Sequence, residues 1–410
     1  MGTKVKVLKG DQIGGCVVLV STSQAKICID FGENLPGQEG EKEIRAELSW
    51  DEEKVDAVFF THYHGDHMGR FMEIPAHIPL YMGSVSRQVL ININRALHKE
   101  AQLAVLLDED RVRCLKADCP IEVGDIRVTP YLVDHSAYDA YMFLIETPDK
   151  TILHTGDYRN HGYRGKALFG VIEKYIVRHG KRPVDILITE GTMMSRAGEK
   201  AYSEAELYKE AKELFKDHRH VFLICSSTNL DSLASFYHAG TFYGMGMYGN
   251  SYVYSQLKTF RETAGRAAPL YDFKYAYEVR FDFVLPGVGM TQEEWMRKNG
   301  FVTVIKGEPG YEKWIRRFAD LKPVVIYSMW EGYVNPAQKA YGKELHEFVR
   351  RYHAVPMHTS GHAPAGVIEE VINRVSPREA IIPIHTENRE GFWRLNIREE
   401  LKGRIQLSYE

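Results

Sequence analysis

No run of apolar residues in this sequence approaches the roughly 18–20 that a helix needs to cross a bilayer, so a transmembrane helix is excluded as its organising element. The first residues, Met1-Gly2-Thr3-Lys4-Val5-Lys6-Val7, also lack the apolar centre of a secretion signal, and the expected location is the cytoplasm. Cysteine is scarce: Cys16, Cys28, Cys114, Cys119 and Cys225 are odd in number and contain no C-x-x-C pair. That argues against a disulfide framework and against cysteine zinc ligands, leaving reduced thiols expected in or near the core. Internal repeats and low-complexity segments are absent too. So is charge of one sign. A net charge of −3 gives no bulk attraction for nucleic acid, although a local basic groove remains compatible with it. The basic clusters Arg178 to Arg182 and Arg350-Arg351 read individually as solvated helix faces or ends.

What is present is an ordinary globular composition, 44% hydrophobic and 26% charged, over 410 residues. That length suggests two or three domains with sizeable cores. Histidine stands out, with 17 copies, several in tight motifs. The densest is Thr61-His62-Tyr63-His64-Gly65-Asp66-His67-Met68-Gly69-Arg70, which follows the apolar run Val55 to Phe60. That run is β-branched or aromatic and reads as a buried strand. The pattern H-x-H-x-D-H therefore sits where a strand opens into a loop, with Gly65 expected to allow the bend. Residues two apart in an extended segment point the same way, so His62 and His64 can grip one ion. Beyond the bend, Asp66 and His67 are carried towards a second.

Along the chain, Gly14 to Val20 and Ala25 to Asp30 read as a hairpin turning at Ser21 to Gln24. Helical spacing runs from Ser84 to about Leu107. Strands are expected at Ile126 to Val133, Ala140 to Glu146, Thr151 to His154 and Val184 to Thr189, with a helix near Lys166 to Arg178. From about Tyr202, helices (Ser203 to Asp217, Asp231 to Ala239, Ser255 to Thr263) alternate with strands (Val221 to Cys225, Pro323 to Tyr327). Such alternation implies an α/β unit on a small parallel sheet. A helix at Ala365 to Val375, a strand at Ala380 to Ile384 and a closing helix from Glu390 finish the chain. Gly244 to Gly249 matches G-x-G-x-x-G, but Tyr252-Val253-Tyr254 after it reads as strand, where a dinucleotide fingerprint needs a helix. Tyr327 to Tyr333 is aromatic-rich, either core or a base-stacking platform.

Three further ligand types stand at strand exits: His135 in Val133-Asp134-His135-Ser136, Asp157 in His154-Thr155-Gly156-Asp157, and His385 in Pro383-Ile384-His385. Two divalent ions about 3.5–4 Å apart can share a hydroxide and a carboxylate and clamp both oxygens of an in-line displacement. Neutral imidazoles suit zinc, and a bridging carboxylate such as Asp157 offsets the charge of both ions. Asp30, Asp134 and Thr61 are candidates by position to orient the rings.

H-x-H-x-D-H, a later His and then T-G-D resemble the metallo-β-lactamase superfamily. Thr189-Glu190-Gly191-Thr192, Ser360-Gly361-His362-Ala363 and Pro383-Ile384-His385 resemble motifs A, B and C of its β-CASP nucleases, in wording most similar to the ribonuclease J branch. The resemblance implies an αββα sandwich over residues 1–201 and 352–410, with an α/β β-CASP cap inserted at 202–351. It implies two zinc ions, with manganese as the substitute. One would take His62, His64, His135 and Asp157, the other Asp66, His67, Asp157 and His385. A metal-bridging hydroxide would attack phosphorus. Asp66, Glu190 and His362 would take part in the chemistry, His362 poised by Glu190 to donate a proton or steady the phosphate. His358, Ser360 and Gly361 would hold a neighbouring phosphate of a single-stranded RNA substrate. A histidine at motif C goes with RNA-processing members, so His385 favours RNA. Ribonuclease J proteins are usually longer, and a homo-oligomer is compatible with the resemblance without being implied. The competing readings are a small-molecule hydrolase (thioester, lactone or cyclic nucleotide) and a non-catalytic RNA-binding scaffold. The first seldom carries a cap before a Ser-Gly-His station. The second typically loses ligands, and here seven candidate positions are filled.

Overall fold

The computed structural model describes residues 2–35, 47–178, 180, 182–196 and 202–407. Two compact units emerge, Met1–Ala201 with Gly361–Glu410, and Tyr202–Ser360.

The first unit is built on two six-stranded sheets. One orders β1 (Lys4–Leu8), β2 (Val17–Ser21), β3 (Lys26–Ile29), β4 (Ala57–Phe59), β5 (Leu80–Gly83) and β6 (Val112–Leu115) in sequence. In the other, β7 (Ile121–Val123), β8 (Ile126–Val133), β9 (Ala140–Glu146), β10 (Thr151–His154) and β11 (Ile186–Glu190) are followed by the late strand Ala380–Ile384. The expected hairpin forms, pairing Val18 with Ile29 and Ser21 with Lys26.

Alternation along each strand divides the apolar residues between two layers. Ile27, Phe59, Phe143, Ile152, Ile186, Ile188 and Ile382 face inward and make the core between the sheets. Leu144, Leu153, Leu187 and Ile381 face outward, onto the helix Ala365–Val375 through Val367, Ile368, Val371 and Ile372. Burial on both faces explains why β10 and β11 read as unbroken apolar runs. With the helix Ser84–Ala96 against the first sheet, the layers are helix, sheet, sheet, helix.

Some local expectations give way. The stretch from Ser84 to Leu107 is two helices, Ser84–Ala96 and Glu100–Leu107, parted where His98 takes φ +52°. Lys166 to Arg178 is a 3-10 turn, a short α segment and a wide π turn at Ile172–Arg178. The closing helix is a 3-10 stretch, Arg389–Arg394, followed by Glu399–Lys402. Cys114 is exposed and Cys119 partly so, whereas Cys16, Cys28 and Cys225 are buried. In the first basic cluster His179 and Lys181 lie outside the described residues; Arg178 pairs with Glu173 at 2.8 Å and Arg182 donates to the carbonyl of Pro148 at 3.0 Å.

The second unit carries a parallel sheet of β12 (His220–Cys225), β13 (Gly246–Gly249), β14 (Ala276–Glu278), β15 (Phe301–Ile305), β16 (Val324–Ser328) and β17 (Val355–Pro356), ordered β14-β13-β15-β12-β16-β17. Residues 352–360 fall in this unit, where β17 pairs with β16, and the compact first unit resumes at Gly361. Ser203 and Glu206 form a capping box that starts the helix Glu204–Asp217. Tyr252, Val253 and Tyr254 are helical, within Ser251–Glu262. A helix does follow the G-x-G-x-x-G stretch, but Gly246 to Gly249 are the strand itself and not the turn after it. Tyr327 is buried in β16, while Trp330 and Tyr333 are half-buried and meet edge to face at 5.4 Å. Together with the strand Ala380–Ile384, here β18, the chain has eighteen strands among its described residues.

Candidate metal centre

The neighbouring parallel strands β10, β11 and β18 all end on the same edge of the second sheet. At that edge Glu190 closes β11, Asp157 follows β10 by three residues and His385 follows β18 by one. His135 leaves β8, and the His62 loop leaves β4 of the first sheet. Gly65 is the first residue of a short helix, Gly65–Met68, and makes no close approach. The glycine the loop needs is Gly32, where a Cβ would lie 1.8 Å from the Asp66 carbonyl oxygen. Loop and hairpin are further stitched by Gly15 N–H to the Asp66 carbonyl, 2.9 Å, and Phe31 N–H to the His67 carbonyl, 2.7 Å.

All seven expected ligands converge: His62, His64 and His135 form one group and Asp66, His67 and His385 another. Asp157 shares a third grouping with His62 and His67 and a fourth with Glu190, His362 and His385. Ring nitrogens face one another at short range. His62 Nε2 lies 3.0 Å and His135 Nε2 3.2 Å from His64 Nδ1, and His67 Nε2 lies 3.2 Å from His385 Nε2. Donors about 2.0–2.1 Å from one tetrahedral zinc stand about 3.3–3.4 Å apart, close to these spacings. His67 Nε2 is also 3.1 Å from Asp157 Oδ2, and His385 Nε2 is 3.2 Å from Asp66 Oδ2.

The nitrogens that His62, His67, His135 and His385 turn away from the cluster have other partners. His67 Nδ1 donates to Asp30 Oδ2 at 2.8 Å, and Asp30 in turn accepts from Thr61 N–H and Thr61 Oγ1, each at 2.8 Å. Thr61 Oγ1 is 3.1 Å from His62 Nδ1. His135 Nδ1 donates to the Gly361 carbonyl at 2.6 Å, and Thr192 Oγ1 lies 2.8 Å from His385 Nδ1. These contacts aim the inner lone pairs at common points, as metal-binding histidines require. The donor set fits a pair of divalent ions.

Charge divides unevenly. Burial, reinforced by neighbouring imidazoles, holds His62 and His135 well below the usual histidine range. Burial brings His64 down to about 4. For His67 burial acts the same way but is outweighed by Asp157, Asp66 and Asp30, which push it well up. Burial opposes ionisation of Asp66 and Asp157 as well, yet the imidazoles around them hold both below the usual carboxylate range.

Asp30 and Thr61 do stand behind the rings. Asp134 does not. It pairs with the fully buried Arg159 at 3.5 Å, accepts from Gly162 N–H at 2.9 Å and lies 3.8 Å from Arg164, whose Nη2 donates to the His135 carbonyl. It therefore props the backbone of the His135 loop, and a backbone carbonyl orients the ring. Two supports were missed from sequence, Thr192 and the Gly361 carbonyl. Thr192 carried a signal, since it sits two residues beyond Glu190 at the same strand exit.

His362 Nδ1 lies 3.4 Å from Glu190 Oε2 and 3.6 Å from Asp157 Oδ2, and its side chain is partly exposed. Glu190 is fully buried and accepts from the backbone N–H groups of Tyr158 and Ala363, both at 3.2 Å, and of Thr192 at 3.1 Å. Burial lowers the His362 pKa, but Glu190 and Asp157 prevail and raise it. His358 and Ser360 belong to the second unit, where both are half-buried, and Gly361 opens the return to the first.

Residues 26–216 match the Beta-lactamase superfamily domain. In this region the chain resembles the metallo-β-lactamase superfamily. It is 25% identical over 242 residues to a ribonuclease J of Mycoplasma genitalium, covering 56% of this chain and 40% of that one. It is 25% identical over 215 residues to the ribonuclease J of Helicobacter pylori, covering 50% of this chain and 30% of the other. A DNA cross-link repair protein, pso2/snm1, of Schizosaccharomyces pombe is 32% identical over 109 residues, 26% of this chain and 17% of that protein. The chain thus spans less than half the length of these curated relatives. A crystal structure of a protein of unknown function from Enterococcus faecalis shares the fold, with TM-score 0.67, 21% identity and 95% of each chain covered. These relatives support placing the inserted unit as a β-CASP cap. Among the described residues no helix is long and apolar enough to cross a membrane.

Proposed function

We propose that this chain is a two-zinc hydrolase that cleaves phosphodiester bonds of single-stranded RNA. The observation that carries the reading is the meeting of two donor groups at Asp157, with His362 and Glu190 beside the same carboxylate. His62, His64, His135 and Asp157 would hold one ion, and Asp66, His67, Asp157 and His385 the other. When bound, such a pair lowers the pKa of water towards about 7 and offsets charge developing on phosphorus. Glu190, anchored by three backbone N–H groups, holds His362 through Nδ1. Its raised pKa suits His362 to keep a proton at neutral pH and pass it from Nε2 to the leaving oxygen. His358, Ser360 and Gly361 are assigned to the neighbouring phosphate.

The ribonuclease J relatives and the histidine at position 385 favour RNA. The pso2/snm1 relative favours DNA as a second reading. A gel of zinc-loaded protein against 5′-phosphorylated RNA, 5′-triphosphorylated RNA and single-stranded DNA tests both. RNA cleavage with DNA intact is expected, and the reverse would overturn the choice. Mononucleotides or internal fragments would separate exonuclease from endonuclease action. His362→Ala should keep both zinc ions while losing about 10²–10⁴-fold in cleavage. Zinc loss in that variant would make His362 a ligand instead.

A further inference from the structure

Where the core between the two sheets meets the metal centre, the first unit encloses a cavity of about 10 Å³. Its polar wall comprises Cys16, Asp30, His67, His154, Asp157 and His385. All but Cys16 and His154 already have a place in the metal centre. His154 is 2% exposed, ends β10 and precedes Asp157 by three residues. Its ring makes one hydrogen bond among the described residues, accepted by Nδ1 from Gly156 N–H at 3.1 Å.

That bond settles the tautomer. A neutral imidazole that accepts through Nδ1 carries its proton on Nε2. Burial keeps the ring neutral, with its pKa down to about 4. Among the described residues the Nε2–H donor then has no protein acceptor, on a buried ring that lines a cavity with two carboxylates in the same wall. One water needs only about 10–15 Å³ and two to four polar partners. Gly156 is itself constrained: its φ is +56°, and a Cβ there would lie 2.6 Å from the Tyr141 carbonyl oxygen. The Thr155-Gly156-Asp157 turn has one compact form, and the His154 ring closes it from within.

We propose that this cavity holds one ordered water molecule, and that His154 is a positioning residue for Asp157. It acts through Gly156 N–H on one side and through the water, which accepts from Nε2–H and donates to the Asp30 or Asp157 carboxylate, on the other. The inference rests on reading Asp157 as the shared metal carboxylate.

A high-resolution crystal structure of the zinc-free protein should show a single water within hydrogen-bond distance of His154 Nε2. An empty cavity, or Nε2 bonded to protein, would overturn the water site. Zinc affinity, measured by competition with a chromophoric chelator, reads the positioning role. His154→Leu should weaken it about 10–100-fold. His154→Gln, which keeps an acceptor for Gly156 and a donor for the water, should restore most of the loss. Wild-type affinity in His154→Leu would refute positioning. Should that variant not fold, Cys16→Leu fills the cavity without touching the bond to Gly156; it should expel the water and weaken zinc less than tenfold, and unchanged affinity would refute the water's part. A wild-type protein that takes up no zinc would instead remove the metal reading, while the crystal still decides the water.

Discussion

The two donor groups of the metal centre are built from different materials. The His62, His64 and His135 group has three neutral imidazoles, and its outer supports are a threonine hydroxyl and a glycine carbonyl. The Asp66, His67 and His385 group brings its own carboxylate, and behind His67 stands a second, Asp30. Asp157 falls in clusters with members of both. The first group is preorganised by burial, which strips its rings of protons. The second is preorganised by charge, with Asp157, Asp66 and Asp30 holding a proton on His67 that a dication must displace. A dinuclear centre so divided should release a proton on filling its carboxylate side and none on filling its imidazole side.

The most damaging change is to the shared member. Asp157→Asn should abolish stoichiometric binding of both ions, read by metal analysis after gel filtration, with a loss beyond the roughly 10–100-fold that an outer support costs. Retention of one tight ion would show that the groups are independent. Next, Asp66→Asn and His64→Asn set the groups against each other. Each should weaken one zinc and spare the other, and Asp66→Asn should cost more in titration because it removes charge as well as a donor. Equal losses would erase the proposed difference.

A smaller effect is expected from Gly361→Ala. Its Cβ would lie 2.6 Å from Ser136 Oγ and 3.0 Å from His135 Cε1. The His135 ring must shift, and the imidazole group alone should lose about tenfold in affinity. A change at the carboxylate side would break the assignment. The mildest test concerns thiols. Burial, with Asp30 nearby, pushes Cys16 up to about 12, so at pH 8 it stays protonated and unreactive. The exposed Cys114 should take up a thiol reagent while zinc content is unchanged. Fast labelling of Cys16 would show that the floor of the carboxylate side opens readily.

Much of this centre was legible because strand exits mark it. His135, Asp157, Glu190 and His385 follow apolar runs whose ends are visible, and parallel pairing of β10, β11 and β18 converts similar exits into neighbours. The second ring of contacts was less legible. Asp134 adjoins His135 in sequence, but its partner is Arg159, and that pairing depends on where two loops fold. Gly65 looked like the essential glycine because it lies within the motif; Gly32 is essential because another segment's backbone passes over it, which no local pattern records. Tyr252 to Tyr254 reads as strand from its β-prone residues, yet the Asn250 side chain caps Val253 N–H and starts a helix there. β15 escaped notice although all its residues are buried, since a short apolar run after a helix has no periodicity to declare it.

The contact between His67 and His385 spans 318 positions of chain. Loop closure over such a distance comes late in folding, after local hairpins and helices have formed. A nascent or partly refolded chain would carry the His62 loop long before the carboxylate side can close. Until β18 docks beside β11, the histidines are loose chelators without a cage, free to pick up whatever soft metal is at hand. Refolding should therefore be gentlest in metal-free buffer, with zinc added last.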